Sequence, residues 1–412
     1  MDGRTAGTAL FLLLGACVFD RAGLPATGGD STRPDSPSLD LPMDLDGHAD
    51  DGHLVDDGDG PLVDHGPSQP WWDPTWTRRR KLSFKAAGLK QDLVGFPVLV
   101  VLDTTRIDYA ASEKNGKDLR FVDADHATQL PHEIESWKEG GTSHIWVRVP
   151  QIDKLSTTDH IWLYYGNPAA PDGQNAAQVW SAVYAGVWHL DGGFTDSTAN
   201  KHDATNHGAK NAAGQVAGGQ KLDGTQYFEL PNTAGLKLSE LSLELWFSST
   251  QTWDAPYWPG SGMLISRATG GWCSGDWTII GGRSDTDSGN AGRVIVGNGA
   301  CSGTGWEPRL YSATGLNNGT FHHLTWTRTQ AGENVLFIDG VKADAIQDNG
   351  AAVAADRPIQ AGGDPYENGS FLVGTIDELR IAKAAHSEAW VQAQHASMVD
   401  LLVSHGPEEK VP

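Results

Sequence analysis

The sequence predicts an all-β protein: a small antiparallel β-sandwich, then a larger jelly-roll sandwich, with a disordered N-terminal tether and a short C-terminal helix. Three observations predict this fold class. The 412 residues include 50 glycines and 16 tryptophans and are 39% hydrophobic, a composition typical of strands joined by many turns. Short β-type runs recur from Trp71 onward, separated by turn residues. Apolar residues at helical spacing occur near the C-terminus.

Residues 1–16 have the features of a lipoprotein signal peptide. The apolar run Leu10–Ala16 follows Arg4 and is too short to span a bilayer, which needs about 20 apolar residues. The run Leu14–Cys17 (LGAC) resembles the bacterial lipobox, in which the cysteine is diacylated and becomes the mature N-terminus. The resemblance implies a lipid anchor on Cys17 and an exported bacterial lipoprotein at the outer membrane or cell surface. An ordinary secretory signal or a misassigned start codon is the alternative.

Residues 17–70 are predicted to form a disordered, Asp-rich linker. Eleven aspartates and one arginine lie between Asp30 and Asp64, and such a segment cannot bury enough apolar surface to offset its ordering entropy. We expect it to hold the folded domains away from the membrane, with weak transition-metal affinity at most from its histidines. The net charge of −22, part of it in this linker, argues against nucleic-acid binding, which needs clustered Lys and Arg.

Residues 71–170 contain six β-type runs, which predict a small antiparallel sandwich. The runs are Arg79–Phe84, Pro97–Leu102, Leu119–Asp123, His132–Trp137, His144–Val149 and His160–Tyr165. The sequence HEIE within them invites a catalytic or metal-binding interpretation. On a strand, however, His132 and Ile134 share one face. Glu133 and Glu135 then share the other, and we interpret them as a polar sheet face.

Several segments of this region carry a family resemblance: WWDPTWTRRRKLSF, FPVLVVLDTTRIDY, DLRFVDAD, LPHEIESW, IWVRVPQID and IWLYYGNP. They resemble an uncharacterised bacterial domain of unknown function. That domain recurs beside LamG-type jelly rolls and in some proteins related to the biopolymer-transport protein ExbB. Because the family has no assigned activity, the resemblance implies a type of domain and no reaction.

A connector, residues 171–183, leads to the second domain, residues 184–382. About ten β-type runs spaced through this domain predict a large antiparallel jelly roll. The clearest runs are Gln226–Leu230, Leu241–Phe247, Met263–Ser266, Trp277–Ile280, Arg293–Val296, Phe321–Arg328, Asn334–Ile338 and Phe371–Ile381.

Six segments of the second domain occur in the order expected of one superfamily: GVWHLDG, DSTANKHDATNHG, LSLELWF, FHHLTWTR, VLFIDG and GTIDELRIAKAAHS. They resemble the LamG-like, concanavalin A-like jelly rolls. The resemblance implies a domain that binds glycans or proteins, often with calcium at a sheet rim, and some relatives are glycosidases.

Asp196 and Asp377 are the predicted calcium ligands, with Asn200 as a third. Calcium takes roughly six to eight oxygen ligands, so backbone carbonyls and water would have to complete the site. In the alternative, Asp196 caps a turn and Asp377 fixes the closing strand through backbone hydrogen bonds.

We predict no catalytic residues and no enzymatic activity. Retaining glycoside hydrolysis needs two carboxyl groups about 5–5.5 Å apart, and the E-x-D-x-x-E run of sandwich-fold glucanases is absent from the sequence. Asp377 and Glu378 are adjacent, so on a strand they are expected to point to opposite faces.

The stretch Gln251–Tyr311 holds five tryptophans, and these rings either line an exposed platform for sugars and proteins or belong to the core. We expect exposure for Trp253, Trp258 and Trp272. Together with Tyr257 they form the predicted ligand-binding set.

The three cysteines separate by position. With Cys17 lipidated, Cys273 and Cys301, which lie 28 residues apart, remain as a predicted disulfide pair. The alternative is two unpaired core residues.

Residues 383–412 are predicted to hold a terminal helix and a tail. Ser387 stands at the N-cap position, and apolar residues follow at helical spacing. The sequence as a whole therefore predicts a cell-envelope lipoprotein that binds a glycan or a cell-surface protein without catalysis and touches the membrane through its lipid anchor alone. The alternatives are a glycan hydrolase and a structural spacer.

Overall fold

The structure, a computed structural model, describes residues 70–254, 261–268, 274–282, 292–300, 308–365 and 370–411. The chain divides into two units, Met1–Gly66 and Pro67–Pro412, and the described residues all lie in the second. The predicted signal peptide, Cys17 and almost all of the linker therefore lie outside the described residues. The described part is nearly all antiparallel β-structure, which confirms the predicted fold class.

The strands and helices are numbered in chain order. The first seven strands are β1 (Arg78–Phe84), β2 (Leu93–Leu102), β3 (Arg120–Asp123), β4 (Gln129–Leu130), β5 (His132–Ser136), β6 (Ser143–Ile152) and β7 (His160–Tyr165). Next come α1 (Ala176–Val179), β8 (Tyr184–Trp188), β9 (Thr205–His207), β10 (Lys210–Ala213), β11 (Gly218–Asp223), β12 (Tyr227–Leu230) and β13 (Leu241–Ser249).

The remaining elements complete the second sandwich and return to the first. They are β14 (Gly262–Arg267), β15 (Trp277–Gly282), β16 (Arg293–Asn298), β17 (Arg309–Tyr311), β18 (His322–Arg328), β19 (Glu333–Ile338), β20 (Val341–Gln347), β21 (Ile359–Ala361), β22 (Gly363–Asp364), β23 (Ser370–Phe371), β24 (Val373–Ala382), α2 (Glu388–Met398) and β25 (Val403–Lys410).

The first sandwich packs a five-stranded sheet, in the order β25-β1-β7-β3-β4, on a three-stranded sheet, β2-β6-β5. The alternation of β6 places Ile145, Val147 and Val149 in the core between these sheets. Trp146 points to the opposite side of the three-stranded sheet and joins a different apolar cluster. Because side chains alternate along a strand, one face of β6 lies in the core of the first sandwich and the other lies on the opposite side of the sheet.

β25 carries the chain from the second sandwich back to the first. It pairs with β1, with Arg79 opposite Glu409 and Phe84 opposite Val403. The Arg79 Nε–H donates to Glu409 Oε2 at 2.8 Å. The sequence analysis did not predict this strand, because VSHGPEEK contains Gly and Pro and lacks a regular apolar alternation.

The second sandwich packs an eight-stranded sheet on a seven-stranded one. The eight-stranded sheet runs β10-β11-β24-β13-β18-β19-β20, with β8 also paired to β24. The seven-stranded sheet runs β17-β16-β15-β14-β21-β12-β9. The core between them includes Leu243, Leu245, Ile279 and Trp326.

A third apolar cluster joins the two sandwiches. It contains Trp146 of β6, Val187 of β8, Trp246 of β13 and Met398 of α2. Because β6 belongs to the three-stranded sheet and the other two strands to the eight-stranded sheet, these sheets face each other and the four sheets form successive layers.

α2 packs beside this interface, and Ser387 is its N-cap residue as predicted. The Ser387 hydroxyl accepts a hydrogen bond from the Trp390 backbone N–H, which caps the helix. Trp390 packs edge-on against Phe96 of the first sandwich, with ring centroids 4.8 Å apart. The Trp246 Nε1–H of the second sandwich reaches Met398 Sδ at 3.1 Å. In the described part of the chain, no helix has the length and apolar character needed to cross a membrane.

Candidate functional site

The seven-stranded sheet carries a row of mostly polar residues on the face that points away from its core. In an antiparallel sheet, residues directly opposite each other on neighbouring strands share a face. The strand pairings align Thr205, Glu229, Gln360, Ser266, Thr278, Gly297 and Arg309. The residues before and after Glu229 and Gln360 belong to the core, so this polar row faces outward.

Hydrogen bonds link members of the polar row to each other and to a neighbouring strand. The Gln360 amide donates to Glu229 Oε2 at 3.0 Å, and the Ser266 hydroxyl donates to Asp364 Oδ2 at 2.9 Å. Gln360 and Ser266 are buried in the middle of the row. At its two ends Thr205 is exposed and Arg309 half-buried, so the ends of the row can be reached from solvent.

An aromatic and apolar row runs beside the polar row on the same face. His207 and Tyr227 stack at one end, with ring centroids 4.3 Å apart and planes 10° from parallel. Toward the other end the row comprises Met263, Ile280 and Ile295, with Tyr311 packed against them. We call the two rows together the outer face. Met263, Ile280 and Ile295 are fully buried. The rings and hydrogen-bonding groups that a ligand can reach therefore lie toward the two ends of the outer face, and rings beside such groups occur in many small-molecule and sugar sites.

A second concentration of functional groups lies between the two sandwiches. It comprises Glu133 and Glu135 of β5, His189 just after β8, and Glu378 and Arg380 of β24, and we call these five residues the charge cluster. The cluster centres on His189. Its Nδ1 lies 2.7 Å from Glu378 Oε1 and 3.4 Å from Glu135 Oε2. Its Nε2 lies 3.3 Å from Glu133 Oε2.

A β-bulge in β24 places Glu378 in the charge cluster. Glu378 has a φ of 50°, and the register between β13 and β24 shifts at this point. Asp377, opposite Trp246 in the ladder, also lies on the interface side. The expectation that Asp377 and Glu378 point to opposite faces is therefore wrong, because the bulge interrupts the alternation of side chains.

Two tryptophans hold the carboxylates of β5 in place. The Trp146 Nε1–H donates to Glu135 Oε2 at 2.7 Å, and the Trp180 Nε1–H donates to Glu133 Oε2 at 2.5 Å. The same rings stack on a cation, because the Arg380 guanidinium lies 4.1 Å from the centroid of Trp146 and 4.8 Å from that of Trp180.

Burial and neighbouring charge shift the pKa values of the cluster in opposite directions. Burial and the Glu378 carboxylate raise the pKa of Glu135 well above its usual range. Burial opposes ionisation of Glu378, but His189 and Arg380 outweigh it and lower the pKa of Glu378 to about 2. Burial likewise opposes the charged form of His189, yet the surrounding glutamates raise its pKa well above the usual value. At neutral pH the cluster without a bound ion therefore pairs a cationic His189 with an ionised Glu378.

The structure corrects the prediction for one of the aromatic residues. Trp253 is fully buried and belongs to the core of the second sandwich, so the expected exposure of its ring is wrong. The ring fits because Gly262 and Gly281 leave room for it: a Cβ at Gly281 would lie 2.2 Å from the indole. Tyr257, Trp258 and Trp272, and the predicted disulfide residues Cys273 and Cys301, lie outside the described residues and stay predictions.

The predicted calcium ligands make internal hydrogen bonds. Asp196 is buried and accepts hydrogen bonds from the backbone N–H groups of Val187, Thr198 and His202. The Asn200 amide donates to the Ala185 carbonyl oxygen at 3.0 Å. These contacts agree with the alternative interpretation, in which Asp196 caps a turn.

Asp377 is also engaged with the backbone. Its Oδ2 accepts from the N–H groups of Gln215 and Val216 at 2.8 and 2.9 Å. Within the described ranges, the group of three His, Cys, Asp or Glu side chains with ligand atoms within 4.8 Å of one another is Glu135, His189 and Glu378. That group contains neither Asp196 nor Asp377.

The sequence did not predict the charge cluster, although one part of its signal was present. Glu133 and Glu135 share a strand face as predicted, with His132 on the other side against Phe121. Their face is covered by the second sandwich, whereas the sequence was interpreted as a polar sheet face. The available signal for the cluster was a pair of acids at positions i and i+2, on a strand beside one that carries a tryptophan.

The fold and the outer face define a protein of two packed β-sandwiches, the second of concanavalin A-like type. Residues 115–204 match the family described as domain of unknown function (DUF2341), and residues 222–392 match the concanavalin A-like lectin/glucanases superfamily. The chain thus combines the two domain types that its motifs predicted. No curated protein matches the chain.

Three solved structures match part of the chain at low sequence identity. Domain 4 of AbnA, a GH43 extracellular arabinanase from Geobacillus stearothermophilus, solved with arabinotriose, is 18% identical, with a TM-score of 0.39 over 51% of this chain and 96% of that one. The binding domain of Paraclostridial Mosquitocidal Protein 1 is 14% identical, with a TM-score of 0.41 over 52% of each chain. The binding domain of botulinum neurotoxin serotype D/C is 10% identical, with a TM-score of 0.41 over 52% of each chain. The match thus spans about half the length of the two toxin domains.

Proposed function

We propose that this protein is a non-catalytic recognition protein that binds a glycan on the outer face of its seven-stranded sheet. One observation carries the proposal: aromatic rings lie beside hydrogen-bonding side chains at both ends of that face, the stacked His207 and Tyr227 at one end and Tyr311 at the other. A sugar presents hydroxyl groups around its edge and apolar C–H groups on its faces. Adjacent hydrogen-bonding and ring-bearing rows suit both kinds of surface.

The size of the polar row favours an extended ligand. Neighbouring strands lie about 4.8 Å apart, so the two ends of a row across seven strands lie roughly 29 Å apart. Buried residues lie between these ends, and a ligand that contacts both ends has to be long. The hydroxyl of Thr278 and the guanidinium of Arg309 stand at one side of the row, and the carboxylate of Glu229 stands toward the other. We therefore propose an oligosaccharide or polysaccharide ligand.

The contacts of the acidic residues favour binding over hydrolysis. Hydrolysis needs a pair of carboxyl groups about 5–5.5 Å apart, or farther apart in inverting enzymes, flanking the bond that breaks. On the outer face the Glu229 carboxylate accepts a hydrogen bond from the neutral Gln360 amide, and the neighbouring Asp364 is fully buried and accepts from Ser266. Glu229 is half-buried and suits a fixed acceptor for sugar hydroxyls.

The proposal keeps the predicted cellular setting. An acyl anchor on Cys17 would tether the sandwiches to the envelope, so that the outer face meets ligands at the cell surface. It also includes the predicted calcium ion near Asp196, Asn200 and Asp377, which the binding experiment tests with a chelator.

The test is a glycan-array screen of the full chain, with and without a calcium chelator, followed by affinity measurement on the best ligand. Thr278→Val removes a hydroxyl from the polar row, and Tyr311→Ala removes a ring beside it. We expect Tyr311→Ala to weaken binding about 10-fold or more, since truncating an aromatic anchor residue at a binding surface can cost about 2 kcal/mol. We expect Thr278→Val to weaken it several-fold. Thr157→Val, at an exposed position of the first sandwich, is the matched control.

Three outcomes separate the alternatives. Affinity that falls in Thr278→Val and Tyr311→Ala and persists in Thr157→Val supports the proposal, and its loss with chelator would add calcium to the site. Release of reducing sugar that disappears in Glu229→Gln would replace recognition with hydrolysis. Equal affinity in all three variants would move the ligand away from the outer face.

A further inference from the structure

We propose that the charge cluster between the sandwiches is a site for a divalent metal ion of the zinc type, ligated by Glu135, His189 and Glu378. The site is separate from the predicted calcium site and from the outer face. Its ligands come from both sandwiches, Glu135 from the first and the other two from the second. A bound ion would therefore connect the sandwiches directly.

The distances suit such an ion. Zinc–nitrogen and zinc–oxygen bonds measure about 2.0–2.2 Å, so ligand atoms of a tetrahedral site lie roughly 3.4 Å apart. The ligand atoms of the three residues all lie within 4.8 Å of one another, and His189 Nδ1 is already 3.4 Å from Glu135 Oε2. The shortest of the distances, 2.7 Å between His189 Nδ1 and Glu378 Oε1, has to lengthen by about 0.7 Å to admit the ion.

The surrounding contacts form the outer layer that such sites require. A metal-bound histidine generally donates its second ring N–H to a carboxylate, and His189 Nε2 faces Glu133 Oε2 at 3.3 Å. Glu133 is held in turn by the Trp180 N–H and by the Ser197 hydroxyl, which donates at 2.7 Å. This arrangement orients the ring so that Nδ1 faces the two proposed carboxylate ligands.

Each carboxylate ligand is held by a hydrogen bond through one oxygen, and in Glu135 that oxygen, Oε2, is also the one 3.4 Å from His189 Nδ1. The Arg380 Nε–H donates to Glu378 Oε2 at 3.1 Å, which leaves Oε1 beside His189. Glu135 Oε2 accepts from Trp146, whereas Glu135 Oε1 is buried and has no hydrogen-bond partner among the described residues. The Glu135 side chain is only 1% exposed. A buried carboxylate oxygen without a partner is costly, and a bound cation would satisfy it.

The charges of the cluster also call for a cation. Three carboxylates, Glu133, Glu135 and Glu378, surround one imidazole and one guanidinium, and a fourth carboxylate, Glu244, lies 3.5 Å from Arg380. A divalent ion between Glu135 and Glu378 would be paired with a carboxylate from each sandwich. The side chains of His189 and Glu133 are 10% and 14% exposed, so the edge of the cluster reaches solvent.

The experiment uses the full chain, stripped with a chelator and then titrated with ZnCl₂, with MnCl₂ and CaCl₂ as comparisons. We expect the unsubstituted chain to bind one zinc ion and its Tm to rise on binding. Glu139→Gln should bind zinc in the same way, and Glu135→Gln should not bind it. Glu135→Gln keeps the shape of the side chain, and Glu139 is an exposed residue just beyond the same strand. Glu133→Gln should weaken zinc binding about 10- to 100-fold, as loss of an outer hydrogen-bond partner does.

Glu135→Gln also distinguishes a cluster completed by a metal ion from one completed by a proton on Glu135. If a proton on Glu135 completes the cluster, Glu135→Gln keeps or raises Tm and zinc has no effect on the unsubstituted chain, which overturns the proposal. Zinc bound equally by the unsubstituted chain and Glu135→Gln would place it on the linker histidines His48, His53 and His65 and would also overturn it. Should Glu135→Gln fail to fold, Glu135→Asp, which keeps the charge and withdraws the carboxylate by one methylene, takes its place.

Discussion

Gly281 gives the ring of Trp253 its place in the core of the second sandwich. A Cβ at position 281 would lie 2.2 Å from the indole, and Gly262 borders the ring from the neighbouring strand. We predict that Gly281→Ala lowers the free energy of unfolding by about 1–3 kcal/mol, because an added methyl group in a filled core forces the ring out of position. Denaturant unfolding measures the change.

A matched alanine substitution controls for the loss of glycine itself. A Cβ at Gly193 meets no atom within 4 Å, so Gly193→Ala should change stability by less than about 0.5 kcal/mol. Equal losses in the two variants would show that contact with Trp253 is not what makes position 281 intolerant.

The same residues show what the sequence alone could and could not predict at this scale. The sequence left the tryptophans of this glycine-rich stretch open as either platform or core. The expectation of exposure for Trp253 was wrong, because its position depends on glycines contributed by two strands. Glu378 is a similar case: its φ of 50° breaks an alternation that a regular strand would keep. Local sequence carries the alternation, whereas bulges and ring cavities arise from contacts between strands.

At the scale of elements, β25 completes the sheet of the first sandwich. Val403 lies in the core of that sandwich, and Arg78 and Arg79 of β1 pair with Glu408 and Glu409. We predict that truncation after Leu402 destabilises the protein by on the order of 5 kcal/mol, because it removes a ladder of hydrogen bonds and exposes β1 as a sheet edge. Thermal unfolding measures the loss.

Removal of Pro412 alone is the control for this truncation, and we expect it to leave the unfolding temperature unchanged. If truncation after Leu402 were equally harmless, β25 would contribute nothing to the stability of the first sandwich. Hydrogen exchange of the β1 amides gives an independent measure, since they should lose protection when their partner strand is gone.

Elements with clear alternation were predictable, and elements whose pairing comes from distant sequence were not. The β-type runs at His144–Val149 and Leu241–Phe247 correspond to β6 and β13, and their alternation correctly separates core residues from the opposite face. β25 lacks that signal, because its burial is partial and its sequence contains Gly406 and Pro407. Its position depends on the exposed edge of β1.

At the scale of the whole molecule, the four sheets and α2 bury titratable groups that affect stability at acidic pH. His386, just before α2, stacks on Trp390 with ring centroids 4.6 Å apart and packs edge-on against Tyr184. Burial lowers the pKa of His386 to about 4, against the opposing effect of Glu244. Because the unfolded chain binds this proton near pH 6.5 and the folded chain only near pH 4, stability falls as the pH drops through that interval.

The size of the effect follows from the size of the shift. His386 should account for a loss of roughly 2–3 kcal/mol between pH 6.5 and pH 4. His386→Gln removes the titrating group, so its stability should decline less steeply over this interval. A decline as steep as that of the unsubstituted chain would assign the acid sensitivity to other groups.

The packing of one sandwich on the other was the feature least predictable from the sequence. The sequence correctly predicted that Glu133 and Glu135 share a face, yet no local pattern shows that His189 and Glu378 approach them from another domain. The two domain types were recognisable from their motifs, because motifs are local. The interface between them depends on surface shape and charge that only the folded layers bring together.

The most direct test of the proposed function is a hydrogen-exchange footprint of the full chain with and without the best ligand from the glycan array. Binding on the outer face predicts slower exchange in β9, β12, β15 and β17, which carry the exposed and half-buried side chains of the two rows. It predicts unchanged exchange in the first sandwich. Protection confined to the first sandwich or to the eight-stranded sheet would contradict glycan binding on the outer face.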